Sequence, residues 1–545
     1  MFATTINNKV TSMKRWFPLG LAALGALGAS AVQAAAPGIT GGTGTPVFNL
    51  TAGPAFITQP DGQAIYSWGY GCNGAPSGYA PAAITTGFCN PMQIPGPTLI
   101  VTEGDTVTVN LQNKLPAAAG NTSILFPGFT LTSTCPSGQQ GLLTCEALPN
   151  STVTYTFTAG SPGTRAYYSG TQGDLQVEMG LYGAIIVLPK AVPSNCTAGL
   201  PATNPGGNAA AKTKWGESDF RLAAAAYDNA NTCYDREYLF QFSEMDPAIH
   251  YAALAQVQSK ATTLQVPTEP YHPGYFMING RSMPDDMDPN YSPQYRNQPY
   301  NGNPHMHPGE ITLLRIIGQG RWQHPFHEHA NHVRILARDG NLLLSTTVPL
   351  AGQDPALAGP LMFTTTTTPG QAMDGLFYFT GKGLNWDMYG HKPPSLTETD
   401  ANATLPCTPD ANGYNTGAPT AINYFEWCQD HDKPMQAAPF GDVPAGGPVS
   451  LPDPNIFTNG AWWGGSPYLG PDATARATFG TPGVGTTGTT PPSGTIANNP
   501  GSEAGYAFMW HSHNEREITT NNIFPGGMLM MMLVDSREFV IDESL

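Results

Sequence analysis

The chain is short of charge, and shortest of positive charge. Only 11% of its 545 residues are charged, 23 Lys and Arg against 39 Asp and Glu, for a formal net charge of −16. A surface with that balance repels a phosphate backbone, so nucleic acid is not an expected partner. Metal ions and other cations would be attracted, although the plainer reading of the excess is solubility.

Long hydrophobic runs are also scarce. Past residue 34, no stretch approaches the ~18 apolar residues that a membrane-spanning helix needs. Several chemistries have no motif to carry them: there is no Gly-rich phosphate loop, no Gly-x-Ser-x-Gly elbow and no His-Glu-x-x-His pair. Acidic pairs such as Asp285-Asp286 fall in loops without a recognisable partner. No cysteine stands beside the main histidine stretches, which removes a copper-thiolate role for any of them. No residue is assigned a catalytic role.

What is present begins with a leader. Lys9, Lys14 and Arg15 precede an apolar run from Trp16 to Ala31, and Val32-Gln33-Ala34 offers a small-residue cleavage site. Residues 1–34 therefore read as a secretory signal peptide, and the protein as exported to the periplasm, outer surface or extracellular space. Cleavage would remove three basic residues and take the charge from −16 to −19. No cysteine follows the site closely, which argues against a lipid anchor. The remaining ~510 residues suggest two or three domains.

Gly 62 and Pro 52, with abundant Thr, favour strands and loops over helices. The eight cysteines suit disulfides in an exported chain. Pairing of sequence neighbours is the expectation: Cys72 with Cys89, Cys135 with Cys145, Cys196 with Cys233, and Cys407 with Cys428.

Strand signals recur along the chain. Pro97–Leu111 holds two β-rich runs around a Glu103-Gly104-Asp105 turn, and Thr152–Thr158 alternates at period two. Gly180–Leu188 reads as a buried strand that closes a first domain over 35–190. A Pro/Gly/Ala-rich stretch at 191–215 reads as a linker. A second β unit occupies 216–545, with strands at Tyr238–Phe242, Tyr275–Gly280, Ile311–Ile317, Val333–Ala337, Gly375–Phe379, Gly505–Trp510 and Met528–Val534. Between about 384 and 500 the pattern dissolves, which suggests a loop-rich insertion wrapped over this unit and pinned by Cys407 and Cys428. The spacing predicts a sandwich or barrel.

Six of the twelve histidines lie in two stretches, His324-Pro-Phe-His327-Glu-His329-Ala-Asn-His332 and His511-Ser-His513. In a strand, residues i and i+2 share a face ~6.5 Å apart, so each His-x-His pair can aim two imidazoles into one cleft. Glu328 should then face away from its neighbours. A third triplet, His305-Met306-His307, has Met283 and Met287 nearby and reads as a surface loop. The Met528–Met532 run reads as core packing.

These features together resemble the multicopper oxidase family. Ile94-Pro-Gly-Pro-Thr-Leu-Ile-Val-Thr-Glu-Gly-Asp-Thr-Val resembles its first-domain strands. Asp235–Glu244 and Phe276–Arg281 resemble strands of its second half. His324-Pro-Phe-His327-Glu-His329 and Trp510-His511-Ser512-His513 resemble its copper motifs. The resemblance implies an all-β fold of tandem cupredoxin-like Greek-key β-barrels or sandwiches. It assigns His324 to a type 1 copper, and His327, His329, His511 and His513 to the trinuclear cluster.

The same resemblance marks what is missing. Where the first-domain motifs carry histidines, this chain has Leu125, Pro127, Tyr168 and Gly170, with Tyr168 expected to fill vacated space. Ser512 stands at the type 1 cysteine and Glu517 at the next type 1 histidine. Met528 is a stretched match for the axial methionine. A serine hydroxyl supplies no thiolate, and half of the trinuclear histidines are gone, so four-copper oxygen reduction is not expected.

Two readings follow. In the first, an exported protein binds one or two metal ions through His327, His329, His511 and His513, with His324, His332, Glu515 and Glu517 as further possible ligands. Copper is the leading candidate, and manganese, zinc or no metal are the alternatives; oxidoreductase activity would be altered or absent. In the second, the fold is a non-catalytic structural or cell-surface assembly component with vestigial histidines. A homo-oligomer is compatible with either.

Overall fold

Alternating side chains build the first two sheets. In the computed structural model, Thr106–Asn113 and Thr152–Thr158 pair antiparallel and bury every second residue. Val107, Val109, Val153, Tyr155 and Phe157 point inward, and threonines point out. The turn before them is set by Gly104, at φ 89°, and by Asp105, whose carboxylate accepts the Thr102 N–H at 2.8 Å. The structure describes residues 35–197, 217–346, 354–382, 407–411, 413–418, 421, 423–429, 465–467, 505–535, 537 and 541–543. The leader, most of the linker and most of the 384–500 stretch lie outside the described residues.

Four sheets result, all within the compact unit Val32–Leu545. The first runs Gly78–Ala80, Gly38–Thr40, Leu99–Thr102, Tyr182–Leu188, Gly163–Tyr168. The second runs Ala64–Cys72, Val47–Thr58, Thr106–Asn113, Thr152–Thr158. These two enclose a core around Trp68, Tyr155 and Ile185.

The third sheet is built on Tyr275–Ile278, Arg236–Met245, Ile311–Gly318, Ala372–Tyr378 and Val333–Arg338. The fourth runs His305–Met306, Leu529–Val534, Tyr506–Ser512, His324–Glu328, Thr364–Thr367. They enclose a second core of Phe240, Phe242, Phe326, Phe377, Trp510 and Met530. Paired sheets around one core each form the β-sandwich that the strand spacing predicts, in the cupredoxin-like arrangement that the resemblance implies. The strands read from the sequence all form. The four disulfides join sequence neighbours, Cys72–Cys89, Cys135–Cys145, Cys196–Cys233 and Cys407–Cys428.

Two features differ from the sequence reading. His305-Met306-His307 is no surface loop. His305 and Met306 form a strand parallel to Leu529–Val534, and all three residues are buried. Met306 belongs to the second core, while His305 Nδ1 meets Asp535 Oδ2 at 2.7 Å. Apolar burial of Met306 draws its polar neighbours inside, where Asp535 meets Nδ1 of His305 with its carboxylate and Nδ1 of His307 with its carbonyl.

A helix at Pro247–Gln258 was also not anticipated. Its signals are local: Asp246 caps it by accepting the Ala248 N–H at 2.9 Å, and Pro247 takes the first helical position. Ile249 and Ala253 pack into the first core, and His250 Nδ1 lies 2.6 Å from the Tyr66 carbonyl. The helix thus ties the later sheets to the earlier ones.

Phe326 lies 4.6 Å from Phe242 and 6.1 Å from Trp510, ring to ring, and is fully buried. Phe326→Ala is expected to destabilise the protein by about 3–5 kcal/mol. Equilibrium denaturant unfolding would register this as a lower midpoint with little change in slope.

Candidate metal centre

Strand pairing brings the two histidine stretches together. His324–Glu328 pairs antiparallel with Tyr506–Ser512, with Phe326 opposite Ser512, His327 opposite His511 and Glu328 opposite Trp510. The pairing continues past the strand end, where the His513 N–H donates to the Pro325 carbonyl at 2.7 Å. Because side chains alternate across a sheet, Phe326 and Trp510 anchor one face in the core while His327 and His511 take the other. His329 and His513 follow two residues later in each segment.

The four rings form one cluster. Centroids lie 4.9 Å apart for His327–His329, 5.1 Å for His327–His513, 5.2 Å for His329–His511 and 5.5 Å for His327–His511. One ring nitrogen from each of His327, His329 and His511 falls within 4.8 Å of the others. The closest pair, His329 Nε2 and His511 Nε2, is 3.3 Å apart. His327 is buried, His329 and His511 are half-buried and His513 is exposed, so the cluster opens outward.

Neighbouring carbonyls orient two of the rings. His327 Nδ1 lies 2.5 Å from the Phe363 carbonyl and 3.0 Å from Thr364 Oγ1. His511 Nδ1 lies 2.8 Å from the Ser512 carbonyl. A carbonyl only accepts, so in the neutral rings Nδ1 carries the proton and Nε2 keeps its lone pair. Burial, with His329, His511 and His513 close by, pushes His327 down to about 4. Burial likewise lowers His511. A donor with a depressed pKa is neutral, and available to a metal, at ordinary pH.

His324 has a different environment. Fully buried, it places Nε2 3.0 Å from Glu244 Oε2 and Nδ1 2.9 Å from Glu517 Oε2. Burial opposes its charge, but the two carboxylates outweigh that and raise it to about 9. The Ser512 hydroxyl donates to the same Glu517 oxygen, and Asn514 Nδ2 donates to the other at 2.9 Å. Glu244 Oε1 accepts the backbone N–H groups of Arg321 and Trp322 at 2.7 and 2.8 Å. His324, Ser512 and Glu517 are therefore joined to each other and to Glu244 by protein hydrogen bonds and charge.

The remaining expected positions are scattered. His332 is buried with its ring 5.1 Å from Phe363. Glu328 points inward, where its Oε1 accepts the Thr365 hydroxyl at 2.9 Å. In the earlier sheets, Leu125 packs so closely on Gly170 that a Cβ there would stand 2.7 Å from Leu125 Cγ. Leu125 thus fills the space beside Gly170, while Tyr168 packs against small clusters that include Tyr182 and Met245. Glu244, Phe363 and Thr364 shape the site without a sequence signal that assigned them to it; each lies far from the histidines in the chain.

Residues 83–192 match a family model described as multicopper oxidase. An L-ascorbate oxidase of Brassica rapa subsp. pekinensis is 41% identical over 96 residues, 17% of this chain and 16% of that protein. An iron transport multicopper oxidase of Gibberella zeae is 39% identical over 104 residues, 18% of this chain and 16% of that protein. Over these segments the chain is similar to multicopper oxidases.

The matched segments span less than a fifth of those relatives' length. Among solved structures, a multicopper oxidase, mgLAC, aligns over 90% of this chain and 85% of its own at 14% identity and TM-score 0.43. A blue copper oxidase from Nitrosomonas europaea aligns over 89% and 85% at 15% identity and TM-score 0.42. The segment that matches the multicopper oxidase model contains Leu125, Pro127, Tyr168 and Gly170; the histidine cluster lies outside it.

The His324 environment carries a pH signature. A pKa raised from 6.5 to about 9 on folding means that the protonated ring stabilises the fold fully below pH ~6.5. That contribution is lost as pH rises through 9. Melting curves of the wild type and His324→Gln should show the wild-type advantage shrinking from pH 6 to pH 9.5. A gap independent of pH would contradict a charged His324.

Proposed function

We propose that this is an exported multicopper-oxidase-like protein that binds a single transition-metal ion through His327, His329 and His511, with His513 at the open side. We further propose the division read from the sequence: a leader over 1–34, cupredoxin-like units over 35–190 and 216–545, and an insertion at about 384–500. Four-copper oxygen reduction is not part of this function.

The separation of 3.3 Å between His329 Nε2 and His511 Nε2 carries the proposal. Two ligands bonded at about 2.0–2.1 Å to one tetrahedral ion stand about 3.3 Å apart. The carbonyls of Phe363 and Ser512 support it by taking the Nδ1 proton of His327 and His511, so that each Nε2 keeps its lone pair. Trp510 adds a fixed backbone: its Nε1–H donates to the His329 carbonyl at 3.0 Å.

An all-imidazole donor set suits copper or zinc better than manganese, which favours carboxylates. Glu517, the nearest such candidate by sequence, is engaged with His324 and Ser512. Copper, the family's metal, is the first choice. A bound copper ion would supply one-electron redox chemistry or Lewis acidity at an outward-facing position.

The donors do not fit the family's other sites. A type 1 copper needs a thiolate, and Ser512 offers a hydroxyl that donates to Glu517. His324, the partner histidine, has a carboxylate beside each ring nitrogen. A trinuclear cluster needs the first-domain histidines replaced by Leu125, Pro127, Tyr168 and Gly170.

Metal analysis of the mature protein after copper or zinc loading and dialysis should give about one ion per chain. His327→Ala with His511→Ala should weaken binding by about 100-fold or more. Clearly substoichiometric metal would leave the scaffold reading, and an intense blue thiolate absorption would contradict the account of Ser512.

Acid release supplies a separate measurement. With His327 near 4, protons compete with the metal only at low pH. Half of the bound ion should come off below pH 6.5, the ordinary imidazole value.

A further inference from the structure

The first residues after the expected cleavage site are buried. Ala35 is 4% exposed and packs with Ile84, Phe220, Tyr291 and Tyr300; Ala36 is fully buried against Ala166 and Ile186. Ala35 also lines a small cavity together with Arg221, Asp235, Arg236, Glu237, Tyr238 and Glu543.

The charged groups of this cavity are unequally satisfied. Arg221 pairs with Asp219 at 2.8 Å, and Arg236, beside it, bridges Glu217 and Glu310. Asp235 accepts the Ile311 N–H at 2.7 Å. Glu237 is held by Arg315 at 2.8 Å and by the Tyr234 hydroxyl at 2.7 Å. Glu543 differs: its Oε1 lies 2.9 Å from the Tyr238 hydroxyl, but Oε2 has no partner among the described residues. Glu543 is 2% exposed, and burial pushes its carboxyl well above the usual range although Arg236 offsets part of this. A buried carboxylate with one oxygen unpartnered is costly, and a cation placed beside that oxygen is correspondingly stabilising.

We propose that cleavage between Ala34 and Ala35 creates a partner for the unpaired oxygen, the α-ammonium group of Ala35, and that Glu543 binds it. The step is hydrolysis by a leader peptidase that accepts small residues. Water adds across the amide and the C–N bond breaks. Ala34 keeps the new oxygen as its carboxylate, and Ala35 leaves as an ammonium group. An α-amine titrates near ~7.7–8.0 when unperturbed, so it is charged at pH 7. In the uncleaved chain the same nitrogen is a neutral amide and offers Glu543 no charge. Processing would therefore complete the fold as well as release the leader. This rests on the export part of the proposed function and is independent of the metal.

Intact-mass measurement of the exported protein tests the starting point, and a first residue other than Ala35 sinks both the export reading as drawn and the ammonium site. With the cut confirmed, two chains are compared, one beginning at Ala35 and one retaining Val32-Gln33-Ala34. The Ala35 chain should melt higher by about 3 °C. Glu543→Gln should erase most of that difference, lowering the Ala35 chain and leaving the extended chain almost unchanged. Equal melting of the two wild-type chains, or equal loss in both on substitution, overturns the ammonium site while leaving export intact. A readout without variants guards against a substitution that fails to fold. Acylation of the α-amine at pH 7 should be about tenfold slower in the folded Ala35 chain than in the same chain unfolded. Equal rates would overturn the proposal.

Discussion

The pairing of His324–Glu328 with Tyr506–Ser512 is the interaction on which the candidate metal centre depends. It joins segments far apart in the chain. Its register is set from the side away from the histidines, where Phe326 and Trp510 pack with Phe240 and Phe242. A slip of either strand by one residue would turn its histidine, His327 or His511, into that core and its aromatic, Phe326 or Trp510, out of it. Burial of large aromatic surface therefore holds a polar site in place. The histidines need contribute nothing to stability for their geometry to be fixed.

A second constraint is electrostatic. His324 lies between Glu244 and Glu517, and Glu244 also lies 3.3 Å from the hydroxyl of Tyr271. Tyr271 donates to Glu178 at 2.6 Å, and burial pushes Glu178 up to about 8. His250, on the capped helix, lies 3.1 Å from the Glu178 carbonyl and is held down to about 4 by its burial. The polar path thus runs from the first pair of sheets to the strand that carries the histidine cluster. Breaking one partner of such a network leaves a buried charge exposed to the full desolvation cost. His324, Ser512 and Glu517 are groups that satisfy one another.

Much of this was legible in the sequence because the signals are local. Alternation in Thr152–Thr158 and the turn at Glu103-Gly104-Asp105 act over a few residues, so strand positions could be read directly. The neighbour pairing of the cysteines is similar, since each disulfide closes a short loop. The helix at Pro247–Gln258 was legible in principle, through Asp246 as cap and Pro247 after it, but its apolar residues show little one-sidedness. His305-Met306-His307 misled because Pro and Asn neighbours suggest a loop. Only the pairing with Leu533–Val534 shows that Met306 belongs inside.

The sequence by itself determined the fold class, the strands, the paired cysteines and the two His-x-His stretches, because periodicity and residue type act locally. Tertiary structure alone decided which nitrogen each ring presents. That choice depends on Phe363 and Thr364, brought beside His327 by a neighbouring strand. It also decided that His324 is a buried cation, since Glu244 and Glu517 reach it from distant parts of the chain. Charge and tautomer follow from distances between groups, and the order of residues along the chain does not contain those distances.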